Sequence, residues 1–219
     1  FPSVSIGWNI AREAFWSPVR YISNRSSGKM GYSIAENAAK RGAKVTLLSG
    51  PVSLDAPKGV DIVPFLTTQE LLDHALELVD EQDIIIQAAA PADYRAQEIA
   101  PQKIKKQSGE PMTLTLVENP DVAATIGQKK KASQVFVGFA AETNDVIEHA
   151  QGKLMRKNLD MIVANDVTRP GAGFDVDTNI VTLISQNGAK ALPLMSKADV
   201  AGHILDYAFE LYLEKTNAQ

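Results

Sequence analysis

Residues suited to holding phosphate cluster in the segment Arg20-Tyr-Ile-Ser-Asn-Arg-Ser-Ser-Gly-Lys-Met-Gly31, which runs into a helix-like stretch from Gly31 to Arg41. The unpaired N–H groups and the positive dipole end of a helix N-terminus attract anions. Ser26 and Ser27 add hydroxyls, Gly28 permits close backbone approach and Lys29 adds a cation. Ordinary helix capping uses the same residue types, so this segment alone leaves both readings open. It is not a P-loop, because Ser23 and Met30 stand where that motif needs Gly and Ser or Thr. No G-x-G-x-x-G fingerprint occurs either; Gly28 and Gly31 reproduce only its last spacing.

Further groups lie at expected strand ends. Ile84-Ile-Ile-Gln-Ala-Ala-Ala90 ends in three alanines followed by Pro91-Ala-Asp-Tyr-Arg95. Small residues there let a ligand approach the backbone and place Asp93 to hold a metal ion or a ribose hydroxyl, although close packing and a turn cap explain them equally. Pro101 to Gly109 is a basic loop; it is either a solvated face or a lysine flap that closes over a triphosphate. Lys153 and Lys157 share one helix face opposite an apolar stripe of Val146, Ile147, Ala150 and Leu154, as phosphate ligands or as surface cations. Val163-Ala-Asn-Asp166 closes another strand with polar groups. His74, His149 and His203 have neither metal spacing nor a nearby nucleophile, which argues against a zinc site and a serine hydrolase.

The elements that must position these groups form an α/β pattern. Apolar runs at Val45 to Leu48, Ile84 to Ala88, Val135 to Phe139 and Met161 to Ala164 suit strands covered on both faces. Helical patterns fall at 31–41, 68–79, 121–128, 145–158 and 197–213. Alternation of this kind predicts a Rossmann-like three-layer domain with a mostly parallel sheet, spanning 1–219 as a single domain. Asn179 to Ser185 and Ala189 to Leu194 flank Gln186-Asn-Gly188 and predict a C-terminal antiparallel hairpin. Thr113 to Val117 alternates with period two, so one of its faces meets solvent or a partner chain.

With 219 residues, a core of ordinary size is available, and a net charge of −4 disfavours a general nucleic-acid or membrane-surface binder. No apolar run of membrane-spanning length occurs and no signal pattern is visible, so the cytoplasm is the expected compartment. The absence of cysteine removes disulfides and thiolate nucleophiles. The chain opens on Phe1, as a segment of something longer would.

Six ordered blocks, at residues 23–31, 88–95, 103–106, 119–121, 138–143 and 164–166, resemble bacterial phosphopantothenoylcysteine synthetase over about residues 18 to 213. In bacteria that synthetase is usually the C-terminal half of a bifunctional protein whose other half is a flavin-dependent decarboxylase. The resemblance implies a Mg²⁺-dependent ligation with CTP as co-substrate and no flavin in this half. The carboxylate of 4′-phosphopantothenate attacks the α-phosphate of CTP, and the amine of cysteine then displaces CMP from the acyl-cytidylate. Both nucleophiles come from substrates, consistent with a protein that supplies alignment and charge stabilisation.

Carried over, Lys103 is the flap lysine of the first step, Asn24 turns the intermediate over and Arg20 contacts substrate. Gln87, Ala88 and Ala89, then Asn119, Pro120, Asp121 and Val122, and Phe139 enclose the nucleotide. Asp93, Lys153 and Lys157 match metal or phosphate contacts, with Asp93 as the metal residue. The family is a homodimer, with the flap and the 113–121 region near its interface. The chain departs from the family pattern at its start, where Gly7 to Glu13 and Ser17 to Arg20 replace a Gly-rich turn and Asp-Pro-Val-Arg, and Pro91 replaces an aliphatic residue. The first strand is therefore left open. Two rivals remain: an NAD(P)-dependent Rossmann-type reductase, which lacks its fingerprint here, and a non-enzymatic nucleotide-binding module.

Overall fold

The computed structural model describes residues 2–8, 13–17, 20–24, 26–102, 104–105, 109, 111–142, 146–166 and 176–217; at 5–8, 13–17, 20–21, 141–142, 146–149 and 166 the description covers the backbone. The chain runs β1 (Val4–Trp8), β2 (Glu13–Ser17), β3 (Arg20–Ile22), α1 (Lys29–Lys40), β4 (Val45–Ser49), β5 (Val60–Pro64), α2 (Thr68–Leu78) and β6 (Ile84–Gln87). It continues with β7 (Tyr94–Ala96), β8 (Leu116–Glu118), α3 (Val122–Lys129), β9 (Val135–Glu142), α4 (Val146–Arg156) and β10 (Met161–Asp166). Last come β11 (Thr178–Asn179), β12 (Val181–Ser185), β13 (Gly188–Ala191), β14 (Met195–Ser196) and α5 (Lys197–Asn217).

One sheet has the order β13-β12-β10-β9-β6-β1-β4-β5. Its six strands from β5 to β10 are parallel, and β12 and β13 add an antiparallel hairpin. The chain leaves β1 toward β4 and later returns to its other side as β6, so the order reverses at β1, where doubly wound sheets open a ligand crevice.

The strand pleat sorts the core into two layers. Ile84 and Ile86, Val135 and Val137, and Met161 and Val163 pack with Ile34 and Ala38 of α1 and Val200, Ile204 and Ala208 of α5. Their alternates Phe136, Ile162 and Ala164 pack with Leu71 and Leu72 of α2, Val122 and Ile126 of α3, and Ala150 and Leu154 of α4. Burial on both faces is why these strands read as unbroken apolar runs.

The expected α/β architecture is present, with local differences. β1 forms at the sheet centre despite the atypical start. β5 went unpredicted because β4 reaches it through irregular chain rather than a helix, and its faces are only partly buried. The hairpin turns at Gln186-Asn187 with Ser185 paired to Gly188, one residue earlier than an Asn-Gly loop. Neither turn residue has a positive φ; Gly188 takes it, at 127°. Of the alternating stretch 113–117, only its end enters a strand: β8 pairs with β7 in a two-stranded arm outside the main sheet. Among the described residues no helix is long and apolar enough to cross a membrane.

Opposite the carboxyl ends of the strands, the charges pair with one another. Asp160 accepts from the Phe136 N–H and meets Lys130 at 3.2 Å and Lys215 at 2.6 Å, tying α3, α5 and two strand starts together.

Candidate active site

A cleft of about 670 Å³ opens between α3, α4, the middle of β9 and the chain that follows β6. It gathers residues from five distant stretches: Asn24, Gln87 with Ala89 and Asp93, the run Asn119 to Val122, Phe139, and Lys153 with Lys157. Its floor is Gly138, where a Cβ would lie 2.8 Å from Leu159 Cδ1. A side chain there would press on Leu159, which also lines the cleft.

One wall is the junction of α3 and α4. A Cβ on Gly127 would stand 1.9 Å from the Lys157 carbonyl oxygen, so the helices approach as closely as a bare backbone allows. Asn158 ends α4 at φ 49° and donates from Nδ2 to the Gly127 carbonyl at 2.7 Å. This contact brings the N-terminus of α3 beside the last turn of α4. Asp121 caps α3 by accepting from the Ala124 N–H at 3.0 Å, and its oxygens lie 2.9 and 3.0 Å from Lys157 Nζ. Burial pushes the Asp121 carboxyl up, but the Ala124 N–H, the Lys157 ammonium and the Ala123 N–H outweigh it and hold the group below its ordinary range. The α3 N-terminus, Lys153 and Lys157 share one shoulder of the cleft, with the Asp121 carboxylate capping the helix and pairing with Lys157.

The other wall is the chain from Ala89 to Tyr94. Asn24 Nδ2 donates to the carbonyls of Ala90 at 3.1 Å and Pro91 at 3.2 Å, which fixes the orientation of its amide. Asp93 is exposed on this wall. Among the described residues there is no group of three or more His, Asp or Glu able to cage a metal ion. A single exposed carboxylate ligand such as Asp93 would suit Mg²⁺, which keeps waters and phosphate oxygens around one or two protein ligands.

The serine-glycine bend lies apart from Lys153 and Lys157. Ser26, Ser27 and Gly28 are absent from the cleft lining. Gly28, at φ 78°, is the buried N-cap of α1, which begins at Lys29, two residues before the expected start. Lys29 faces a separate groove of about 860 Å³ between α1, residues 54–58 and the start of α5, where it pairs with Asp177 at 2.6 Å. Ala88 also leaves the site: the pleat that sends Gln87 and Ala89 to the cleft turns Ala88 into the α1–α5 core. Lys103 lies outside the described residues, and Arg20 is described by its backbone. Sequence reasoning passed over Gly127, Gly138, Glu118 and Arg95; only the α3–α4 approach and the contacts described below give them a role.

The fold and cleft define a doubly wound α/β protein with a cleft that opens beside a helix N-terminus. Residues 11–211 match the model of the DNA/pantothenate metabolism flavoprotein C-terminal domain, and the chain belongs to that family. It is 50% identical over 200 residues to the coenzyme A biosynthesis bifunctional protein CoaBC of Escherichia coli K12, covering 90% of this chain and 49% of that protein. It is also 50% identical over 196 residues to the Bacillus subtilis protein of that name, covering 89% and 48%. The chain thus spans about half the length of these relatives. The crystal structure of the C-terminal domain of a CoaBC protein is similar at 37% identity and a TM-score of 0.82, covering 97% of this chain and 96% of that one. None of these comparisons supports the reductase reading.

Proposed function

We propose that this chain is a phosphopantothenate–cysteine ligase domain of coenzyme A biosynthesis, acting in the cytoplasm, with 4′-phosphopantothenate, cysteine and CTP as substrates. The observation that carries the reading is the single cleft that unites Asn24, Asp93, the α3 N-terminus and the Lys153–Lys157 pair. In the first step a carboxylate oxygen of phosphopantothenate forms a bond to the α-phosphorus of CTP and pyrophosphate leaves. In the second, the cysteine nitrogen bonds to the acyl carbon, CMP leaves and the nitrogen loses a proton.

Neither step needs a nucleophile from the protein. What it must supply is orientation and positive charge where negative charge builds. The α3 shoulder with Lys153 and Lys157 faces the phosphates, and Lys103 adds a third cation from the segment between β7 and β8. Mg²⁺ carried by the triphosphate would neutralise charge, with Asp93 as its protein ligand. Gln87, Ala89, Asn119 to Val122 and Phe139 enclose the nucleotide, and Asn24 and Arg20 serve the reacting groups. Two copies joined through the β7–β8 arm fit the exposure of Tyr94, Ile99, Met112 and Leu116 on it. A decarboxylase half, fused or associated, would consume the product.

The test mixes the protein with Mg²⁺, CTP, phosphopantothenate and cysteine and follows CMP and pyrophosphate. Substrate-dependent CMP is expected; CTP binding without turnover would favour a regulatory module instead. Thermal stabilisation by NADPH but not by CTP would return the reductase to consideration.

A further inference from the structure

Beyond β6 the chain runs from Ala88 to Asp93 before the arm begins, and four successive carbonyls in it accept from asparagines. Asn24 Nδ2 serves Ala90 and Pro91, Asn119 Nδ2 serves Ala92 at 2.8 Å, and the Asn119 N–H serves Asp93 at 2.8 Å. Chain leaving a sheet normally finds such partners in water or in a ladder. Here two side chains from either side of the run supply most of them.

Asn119 is itself held. Arg95 Nη1 donates to Asn119 Oδ1 at 3.1 Å and to the Glu118 carbonyl at 2.5 Å. Both ends of the Asn119 amide are therefore engaged inside the protein, which leaves it poorly placed to read a base. The same bonds sit at the root of the arm: Tyr94 pairs with Glu118, Ala96 with Leu116, and the last rung is the Gln97 N–H to the Thr115 carbonyl at 3.0 Å. The described residues 98–102 and 111–114 leave from this root.

We infer that Arg95 and Asn119 are positioning residues: they clasp the carbonyl run to the arm, and so set the cleft position of Asp93. The inference rests on the ligase reading and deepens it. Activation of the carboxylate uses both Asp93 and Lys103, whereas attack by cysteine on the activated acid uses Asn24, which binds the other end of the run. The clasp therefore acts on the first step.

Two variants of the full chain test this. Asn119→Asp has nearly the same volume and keeps an acceptor for Arg95, but sets an oxygen against the Ala92 carbonyl; Arg95→Met removes the other half of the clasp. Acyl-cytidylate formation is measured with cysteine omitted, and its aminolysis by single turnover. Each variant is expected to slow activation about tenfold or more while aminolysis stays within about twofold, with Arg95→Lys recovering most of the rate. Partial unfolding would lower both steps by one factor, so an equal fall, or activation within about twofold of wild type, overturns the inference. If the wild-type protein makes no CMP, the ligase reading fails instead. Limited proteolysis between 97 and 115 then decides the clasp: cleavage about fivefold faster in Asn119→Asp supports it and an unchanged rate sinks it.

Discussion

The two walls of the cleft are built by different means. The α3–α4 shoulder rests on packed core: Val122, Ile126, Ala150 and Leu154 are buried, and Gly127 meets the end of α4 without a side chain between them. The opposite wall buries only small side chains, Ala89, Ala92 and Ala96, and is held by directed hydrogen bonds from Asn24, Asn119 and Arg95, with large apolar side chains exposed on the arm beyond. A packed wall resists deformation in every direction because interiors are close-packed. A hydrogen-bonded wall is fixed only along its bonds and can be redirected by changing one of them. The proposed chemistry divides in the same way: fixed cations at the shoulder meet a chain that must admit substrates.

The largest effect is expected where packing is tightest. Gly127→Ala should lose about 3 kcal/mol of stability or more, since the added methyl meets a backbone oxygen rather than a pliable side chain. Urea unfolding measures it, and an unchanged midpoint would mean that the shoulder yields. On the other wall the changes should fall on rate. Lys103→Ala should slow acyl-cytidylate formation about a hundredfold, whereas Asn24→Ala should let it form and accumulate. Equal damage to the first step by both would erase the proposed division of labour. Changing Met112 and Leu116 together to Glu should shift a dimer toward monomer in sedimentation, with the fold retained by circular dichroism.

The smallest effect concerns Asp121. Its carboxyl is held below the ordinary carboxylate value, so its contribution is complete above the unfolded pKa and is lost as pH falls through the folded one. Asn is as good a cap. Asp121→Asn should therefore change stability near neutrality by about 0.5 kcal/mol or less and flatten the decline below about pH 4. An unaltered acid limb would show that neither the Ala124 N–H nor Lys157 holds this carboxyl down.

Sequence periodicity carried most of the fold, and physical reasons separate what it carried from what it did not. Strands buried on both faces leave continuous apolar runs, and amphipathic helices leave a stripe, so β4, β6, β9, β10 and all five described helices were legible. β5 was not, because half-exposed residues without a preceding helix give no such signal. In the cleft, Gln87, Ala89, Asp93, Lys153 and Lys157 could be placed by strand ends and helix faces. Ala88 could not, because one step of the pleat decides which layer it enters. Lys29 could not be placed either: its sequence neighbours suggest a phosphate, and nothing local announces its pairing with Asp177, 148 positions away. The contact between Asn24 and Ala90 spans 66 positions and follows no period, so no local pattern could announce it.

Both outer strands of the sheet have a bearing on how copies of this chain can meet. β13 is short, exposed along its length and carries Lys190, and β5 ends in Pro64 and carries Asp61. Lysine and proline at an unpaired margin discourage a further strand from docking there, which is how natural sheets avoid growing into fibrils. Edge-to-edge stacking is thereby disfavoured at either side of the sheet.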